Sequence, residues 1–161
     1  MITRRRLLTS FASIAAGVFA ARSSSASEPV ANDEELRFPG DPTEHNIVYQ
    51  LNKSDPKYHD AVLFSVGEML RKYNDNITIV ITVFGPGIHV LAKKPLREVS
   101  DDVTRKIRSL ADYGVKMHAC GNTMDSLGWK QDDMHDFVEV VQVGAVDLME
   151  LQEKGYSYIS W

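Results

Sequence analysis

Residues Ile77 to Phe84 form a continuous apolar run, Ile-Thr-Ile-Val-Ile-Thr-Val-Phe, that is almost wholly β-branched or aromatic. A strand with one solvent-exposed face alternates apolar and polar residues, and this run does not. It is therefore typical of a strand that is buried on both faces, as in a parallel sheet. Since parallel strands need a long crossover connection, usually a helix, the run predicts an α/β fold.

One helix is predicted before this strand in the sequence, and another after it. The first begins at Asp55 and Pro56, an N-cap acid followed by proline at the first helical position, and ends at Asn74. Its inner face is formed by mostly apolar residues that recur at intervals of three and four. They are Tyr58, Ala61, Val62, Ser65, Val66, Met69, Leu70 and Tyr73. The second helix begins at Ser100 and is closed by Gly114.

Four further strands are expected at His45–Leu51, Val115–Ala119, Phe137–Val143 and Tyr156–Trp161. A short helical turn is expected near Val90–Ala92, a short helix after Cys120, and a longer helix from Gly144 to Gly155. Alternating strands and helices imply right-handed crossovers. The pattern predicts one domain over residues 45–161, a three-layer α/β/α sandwich around a mostly parallel five-stranded sheet in flavodoxin-like order.

Residues 1–26 are typical of an export signal. Arg4, Arg5 and Arg6 precede a mildly apolar stretch, and Ser24-Ser25-Ala26 offers small residues for cleavage. The paired arginines and the weak hydrophobicity resemble a twin-arginine signal, although Thr9 stands where lysine is common. The alternative is an arginine-rich general-secretion signal. Either signal predicts a periplasmic protein, and the polar residues 27–44 are expected to form a flexible arm.

The charge balance of the chain argues against nucleic acids as partners. The leader holds four of the 18 basic residues and no acid, so the remainder carries 14 basic against 22 acidic residues, a formal net charge of −8. A domain this acidic is a poor match for nucleic-acid phosphates. No apolar run downstream of the leader is long enough to span a bilayer, so no stable membrane insertion is expected after cleavage.

Cys120 is the only cysteine of the chain and is the strongest candidate for chemistry. It stands at the carboxyl end of a predicted strand, and Gly121, Asn122 and Thr123 follow at the predicted start of a helix. Ligand chemistry gathers at this edge of open α/β sheets, and the N–H groups of a helix start favour a thiolate over a thiol. The alternative is a small, buried and inert hydrophobic side chain.

Other candidates are weaker. Gly85-Pro86-Gly87-Ile88-His89 follows a strand but has neither the Gly-x-Gly-x-x-Gly spacing nor the lysine of a phosphate loop, which favours a structural turn. His89 could approach the thiol from the same edge. Asn52 and Lys53 end the first strand and could hold an anion near Cys120 if strands one and three are neighbours. His118 and Cys120 share a strand face, but one such pair falls far short of a metal site, so no metal and no cofactor are predicted.

Four segments together resemble the DsrE/DsrF-like family. They are Ala119–Met124, Val48–Asn52, Gly85–Gly87 and Leu151–Ile159, and they recur in family order. The resemblance implies a compact α/β fold that assembles as a homotrimer or homohexamer. It also implies Cys120 as a sulfur acceptor, because better-studied relatives carry a cysteine persulfide in sulfur-relay and sulfur-oxidation systems. The export signal departs from those cytoplasmic relatives.

Two functional hypotheses follow. In the first, the protein is a sulfur carrier or sulfurtransferase-like protein with a persulfide on Cys120 and a protein that donates or accepts sulfur. In the second, it is a non-catalytic homo-oligomeric module that binds a small anion or a redox partner, and its thiol is incidental. The rate at which the thiol is labelled at neutral pH discriminates them, since a thiolate reacts and a thiol does not.

Overall fold

A computed structural model of the protein describes residues 41–161. The predicted signal of residues 1–26 and nearly all of the predicted arm, 27–44, lie outside the described residues. The strands are β1 His45–Leu51, β2 Ile77–Val83, β3 Lys116–Cys120, β4 Val138–Val141 and β5 Ser157–Ile159. The α-helices are α1 Pro56–Tyr73, α2 Asp101–Asp112, α3 Gly121–Leu127 and α4 Gly144–Glu153. Two 3-10 helices cover Gly85–Leu91 and Gln131–Asp133.

All pairings in the sheet are parallel, and the strand order is β4-β3-β2-β1-β5. The predicted fold class, a three-layer α/β structure around a five-stranded sheet, is confirmed. The expected adjacency of strands one and three is wrong, because β2 lies between β1 and β3 and pairs with both. The right-handed crossover rule fixes the hand of each connection but not the edge to which the next strand is added.

The two faces of the sheet bury different clusters. Side chains at alternate positions of β1 and β2, such as Tyr49 and Ile81, pack with α1 and α2 in the larger cluster. The intervening positions Val48 and Val80 pack against Leu148 and Leu151 of α4 in a smaller one. Because successive strand residues point to opposite faces, the helices lie on both sides of the sheet.

Local signals explain where the elements begin. The carboxylate of Asp55 accepts a hydrogen bond from the Tyr58 N–H at 2.8 Å, which caps α1 as predicted. Gly87 lets the first 3-10 helix approach the end of β1, since a Cβ there would lie 2.7 Å from the Leu51 carbonyl oxygen. That helix runs over Gly85–Leu91 and so begins earlier than the predicted turn. None of the helices within residues 41–161 has the length and apolarity needed to cross a membrane.

Candidate functional site

Cys120 is the last residue of β3 and the N-cap residue of α3. The predicted position at the handover from strand to helix is confirmed. Gly121 follows as the first residue of α3 and is buried. The Cys120 side chain is also buried, with 6% of its surface exposed. The chemistry of the thiol is therefore set by the groups packed around the sulfur.

A second helix also begins at the sulfur. The backbone N–H of Gly144, the first residue of α4, donates to Cys120 Sγ at 3.3 Å. A Cβ on Gly144 would lie 3.2 Å from Cys120 Cβ and 3.1 Å from Cδ1 of Phe84. A side chain at Gly144 would force Phe84 or Cys120 to shift, so glycine lets the start of α4 approach the sulfur closely. The thiol thus lies at the amino ends of both α3 and α4.

The hydroxyl of Thr123 also contacts the sulfur, and a hydrogen bond from the turn after β2 holds this hydroxyl in place. Thr123 Oγ1 accepts a hydrogen bond from the Gly85 N–H at 3.1 Å. A threonine hydroxyl has one proton to donate, and because its oxygen already accepts from Gly85, that proton is available to the sulfur of Cys120. The turn after β2 therefore orients a donor that belongs to α3.

Opposing influences act on the pKa of Cys120. Burial is the largest single one, and it raises the pKa because it disfavours the charged thiolate. The Thr123 hydroxyl and the N–H groups of Gly144, Thr123 and Asn122 act in the other direction. Together these hydrogen bonds outweigh burial, and the pKa of Cys120 is lowered from its ordinary value. The site can thus hold a thiolate in a buried position without a neighbouring cation.

Asn122 acts on the sulfur through its backbone and not through its side chain. Its Oδ1 accepts a hydrogen bond from Nε2 of Gln142 at 2.9 Å. Its N–H bonds the Gln142 carbonyl oxygen at 3.1 Å, which leaves this N–H less available to the sulfur than that of Gly144. Asn122 therefore fastens the first turn of α3 to the segment that leads into α4. This tie helps to hold the two helix starts together at Cys120.

Lys53 and Asn52 belong to a different part of the sheet edge. The Lys53 ammonium donates to the Trp161 carbonyl oxygen at 2.8 Å and lies 4.7 Å from the centre of the Tyr58 ring. The Asn52 N–H donates to the Tyr58 hydroxyl at 3.3 Å. Because β2 separates β1 from β3, the condition for Lys53 to assist Cys120, that these strands be neighbours, is not met.

His89 and the Gly85–Gly87 turn lie beside the thiol network. His89 is 5% exposed, packs edge-on against Trp129 with ring centres 5.1 Å apart, and accepts a hydrogen bond from the Leu96 N–H through Nδ1. Burial first, and the charge of Arg97 second, lower the pKa of His89. In the described part of the chain no hydrogen bond joins His89 to Cys120. The turn contributes the Gly85 N–H that orients Thr123.

A buried set of hydrogen-bonded side chains, the polar relay of His118, Asp147 and Thr82, occupies the sheet face beneath α4. His118 Nδ1 lies 3.0 Å from both carboxylate oxygens of Asp147, and the Thr82 hydroxyl donates to Asp147 Oδ2 at 2.6 Å. Asp147 lies in the first turn of α4, while His118 precedes Cys120 by two residues on β3. The relay therefore ties α4 to β2 and β3 close to the point where Gly144 meets the sulfur.

Sequence reasoning missed the roles of Gly144, Asp147 and Thr82. These residues are far from β3 in sequence, and the parallel pairing of β3 with β2 and β4 brings Gly144 to Cys120 and the other two to His118. Thr123 was placed only at the predicted start of a helix. A weak signal was available, because Gly144 follows a strand as Gly121 does, so both glycines begin a helix at the same edge of the sheet.

Residues 41–161 contain no group of three or more His, Cys, Asp or Glu side chains placed to hold a metal ion.

A model of the DsrE/DsrF-like family matches residues 46–161. No curated protein matches the sequence significantly.

Two solved structures share the fold. One is MTH1491, a protein of unknown function from Methanobacterium thermoautotrophicum, with 21% identity and a TM-score of 0.66 over 73% of this chain and 100% of that chain. The other is the YchN protein from E. coli, with 13% identity and a TM-score of 0.59 over 73% of this chain and 99% of that chain. At these identities the likeness establishes the fold.

Proposed function

Because the chain belongs to the DsrE/DsrF-like family, a family commonly related to sulfur relay, we propose that it is an exported sulfur carrier that holds sulfane sulfur as a persulfide on Cys120. The observation that carries the proposal is the convergence of the Thr123 hydroxyl and the Gly144 N–H on a buried sulfur whose pKa is lowered. The thiolate is the nucleophile in sulfur exchange, so these donors favour the reactive form.

The loading step balances with a small sulfane donor such as thiosulfate. The Cys120 thiolate attacks the terminal sulfur of the donor, a new S–S bond forms, and the original S–S bond breaks. Its electron pair leaves with the sulfite, so no external oxidant or reductant is needed. Since the chain has a single cysteine, no second thiol within it can convert the persulfide into a disulfide. The sulfur is therefore retained until an outside acceptor attacks it.

Intact-mass measurement tests the proposal. The protein is incubated with thiosulfate and, separately, with inorganic polysulfide, and is then weighed before and after treatment with a reductant. We expect a gain of one sulfur atom that the reductant reverses and that is absent in Cys120→Ser. If wild type gains no sulfur from either donor, the carrier function is refuted.

The same experiment decides the alternative function, a binding module with an incidental thiol. Its specific support is the burial of Cys120, which is only 6% exposed. A thiol that is merely buried reacts slowly, because burial alone disfavours the thiolate. Slow labelling by a neutral disulfide reagent at neutral pH, together with no gain of sulfur, would establish the binding module in place of the carrier.

Self-association is part of the proposal, with a homotrimer or homohexamer as the expected state. Members of the family are often oligomeric. Large apolar side chains are available as anchors on this chain: Phe64 and Tyr113 line a cavity of about 700 Å³ between α1 and α2, and Trp161 is 57% exposed. Aromatic side chains are enriched at such interfaces. Light scattering that gave the mass of one chain at micromolar concentration would contradict this.

Export to the periplasm by the twin-arginine route is proposed from the leader sequence alone. Replacing Arg4 and Arg5 together by lysine should leave the precursor inside the cell, because the twin-arginine route requires the arginine pair. A matched control replaces Arg22 by lysine, which lies outside the pair. Undiminished export of the double variant would assign the chain to the general secretion route.

A further inference from the structure

A small cavity of about 310 Å³ lies beside the thiol network and is lined by Gly85, Pro86, His89, Leu96, Arg97 and Leu127. Gly85 belongs both to this lining and to the hydrogen-bond chain that runs through Thr123 to Cys120. The cavity therefore adjoins the site without including the sulfur. Most of its lining is apolar, and its two charged or titratable side chains are His89 and Arg97.

His89 presents an unused donor to this cavity. Its Nδ1 accepts from the Leu96 N–H at 3.2 Å, and burial together with the charge of Arg97 lowers the pKa of the ring, so the neutral ring carries its proton on Nε2. Within residues 41–161 Nε2 forms no hydrogen bond, although the side chain is only 5% exposed. Every fully enclosed polar side-chain atom of the described residues has a hydrogen-bond partner. Because Nε2 has none, it is not fully enclosed and reaches the cavity surface.

Arg97 supplies a charge that nothing in the described chain neutralises. It forms no salt bridge and no hydrogen bond there. Two basic neighbours differ from it: Lys93 pairs with Asp136 at 2.7 Å, and Lys94, which is exposed as Arg97 is, does not line the cavity. Arg97 and His89 both line this largely apolar cavity, and each has donors that no acceptor of the described residues uses, which suits an oxyanion.

We propose that His89 and Arg97 form a binding site for a small oxyanion, and that its ligand is the anionic sulfur donor of Cys120, of the thiosulfate class. The anion site stands on the cavity and its two donors, whereas the identity of the ligand as a donor rests on the proposed carrier function. Gly85 connects the two sites, because it lines the cavity and its N–H donates to the Thr123 hydroxyl, which contacts the sulfur of Cys120.

Binding is measured apart from sulfur transfer in the Cys120→Ser variant of the full chain, with sodium sulfate and sodium thiosulfate as probes. Calorimetry gives the affinity, and NMR of the His89 ring locates the anion. We expect both anions to bind and to shift the His89 signals. Arg97→Gln should weaken binding by at least about tenfold, because it removes charge-assisted hydrogen bonds. Lys94→Gln removes the same charge three residues away and should change affinity by less than about twofold.

Sulfur transfer is then measured with Cys120 intact. Arg97→Gln should slow loading from thiosulfate by at least about tenfold and should leave the reaction with neutral iodoacetamide within about twofold of wild type. If neither anion shifts the His89 signals, or if Arg97→Gln and Lys94→Gln weaken binding equally, the site is refuted, while loading from polysulfide would still support the carrier. If the anions bind at His89 but no donor loads Cys120, the carrier function fails and the ligand is not a sulfur donor.

Discussion

Replacing Thr123 by valine tests how the thiolate of Cys120 is stabilised. Valine keeps the branched shape of threonine and removes the hydroxyl that contacts the sulfur. Thr123→Ser is the matched control, since it retains the hydroxyl and the oxygen that accepts from the Gly85 N–H. Both variants keep the backbone N–H groups at the sulfur. A difference between them therefore reports the hydroxyl itself.

The magnitude follows from the type of hydrogen bond. A bond to a charged group contributes roughly 1.5–3 kcal/mol, and sulfur is a weak acceptor, so the lower end applies. A loss of about 1.5 kcal/mol raises the pKa of the thiol and lowers its acid dissociation constant about tenfold. Thiolate nucleophilicity rises with pKa with a Brønsted coefficient of about 0.4–0.5, so the variant thiolate becomes about threefold more reactive.

These two effects predict pH–rate profiles that cross. The assay is the reaction with dithiodipyridine, a neutral disulfide, followed over a range of pH. Below the titration midpoints Thr123→Val should react about threefold more slowly than wild type, and above them about threefold faster. Thr123→Ser should follow wild type. A uniform fall at every pH would mean that the substitution blocks access, and identical Val and Ser profiles would refute the role of the hydroxyl.

The remaining predictions concern stability. The unfolding free energy of wild type, taken relative to that of Cys120→Ser, should rise with pH between the lowered native pKa of Cys120 and the unfolded value of about 9.0. The reason is that the native chain loses the thiol proton at lower pH than the unfolded chain does. A difference in unfolding free energy between the two proteins that stays constant with pH in denaturant titrations would contradict this. Gly87→Ala should destabilise the fold by about 1–3 kcal/mol, since its Cβ meets backbone, whereas Gly67→Ala in α1 meets open space and should stabilise it by up to about 1 kcal/mol. Thr82→Val should cost about 1.5–3 kcal/mol in denaturant unfolding, because it removes a buried hydrogen bond to the Asp147 carboxylate, and a loss under about 0.5 kcal/mol would assign the bond no net value.

The local elements of the fold were predictable because their signals are short-range. The cap at Asp55, the start of α2 at Ser100 and the buried run of β2 each depend on residues within one turn or one strand. The order of the strands was not predictable in this way. Whether β3 pairs beside β1 or beside β2 depends on how α1 and α2 pack on the larger core cluster, which is a property of the whole chain.

The candidate site, like the fold, was predictable only where its signals are short-range. The position of Cys120 follows from a strand and a glycine next to it in sequence. The donor from Gly144 and the relay through Asp147 come from a helix more than twenty residues further on, and periodicity does not report which helix start faces which strand end. The condition attached to Lys53, that strands one and three be neighbours, could not be checked from the sequence for the same reason, and the sheet does not meet it.

For the proposed carrier, the placement of the donors also bears on how sulfur is released from Cys120. A persulfide carries its charge on the terminal sulfur, one S–S bond of about 2 Å beyond Sγ. The Gly144 N–H is directed at Sγ itself, so it stabilises the thiolate more than the persulfide. When an acceptor attacks the terminal sulfur, the electron pair returns to Sγ, and a thiol of lowered pKa is the better leaving group. In the carrier that we propose, the same contacts that favour the thiolate for loading therefore also promote release, which a permanent sulfur store would avoid.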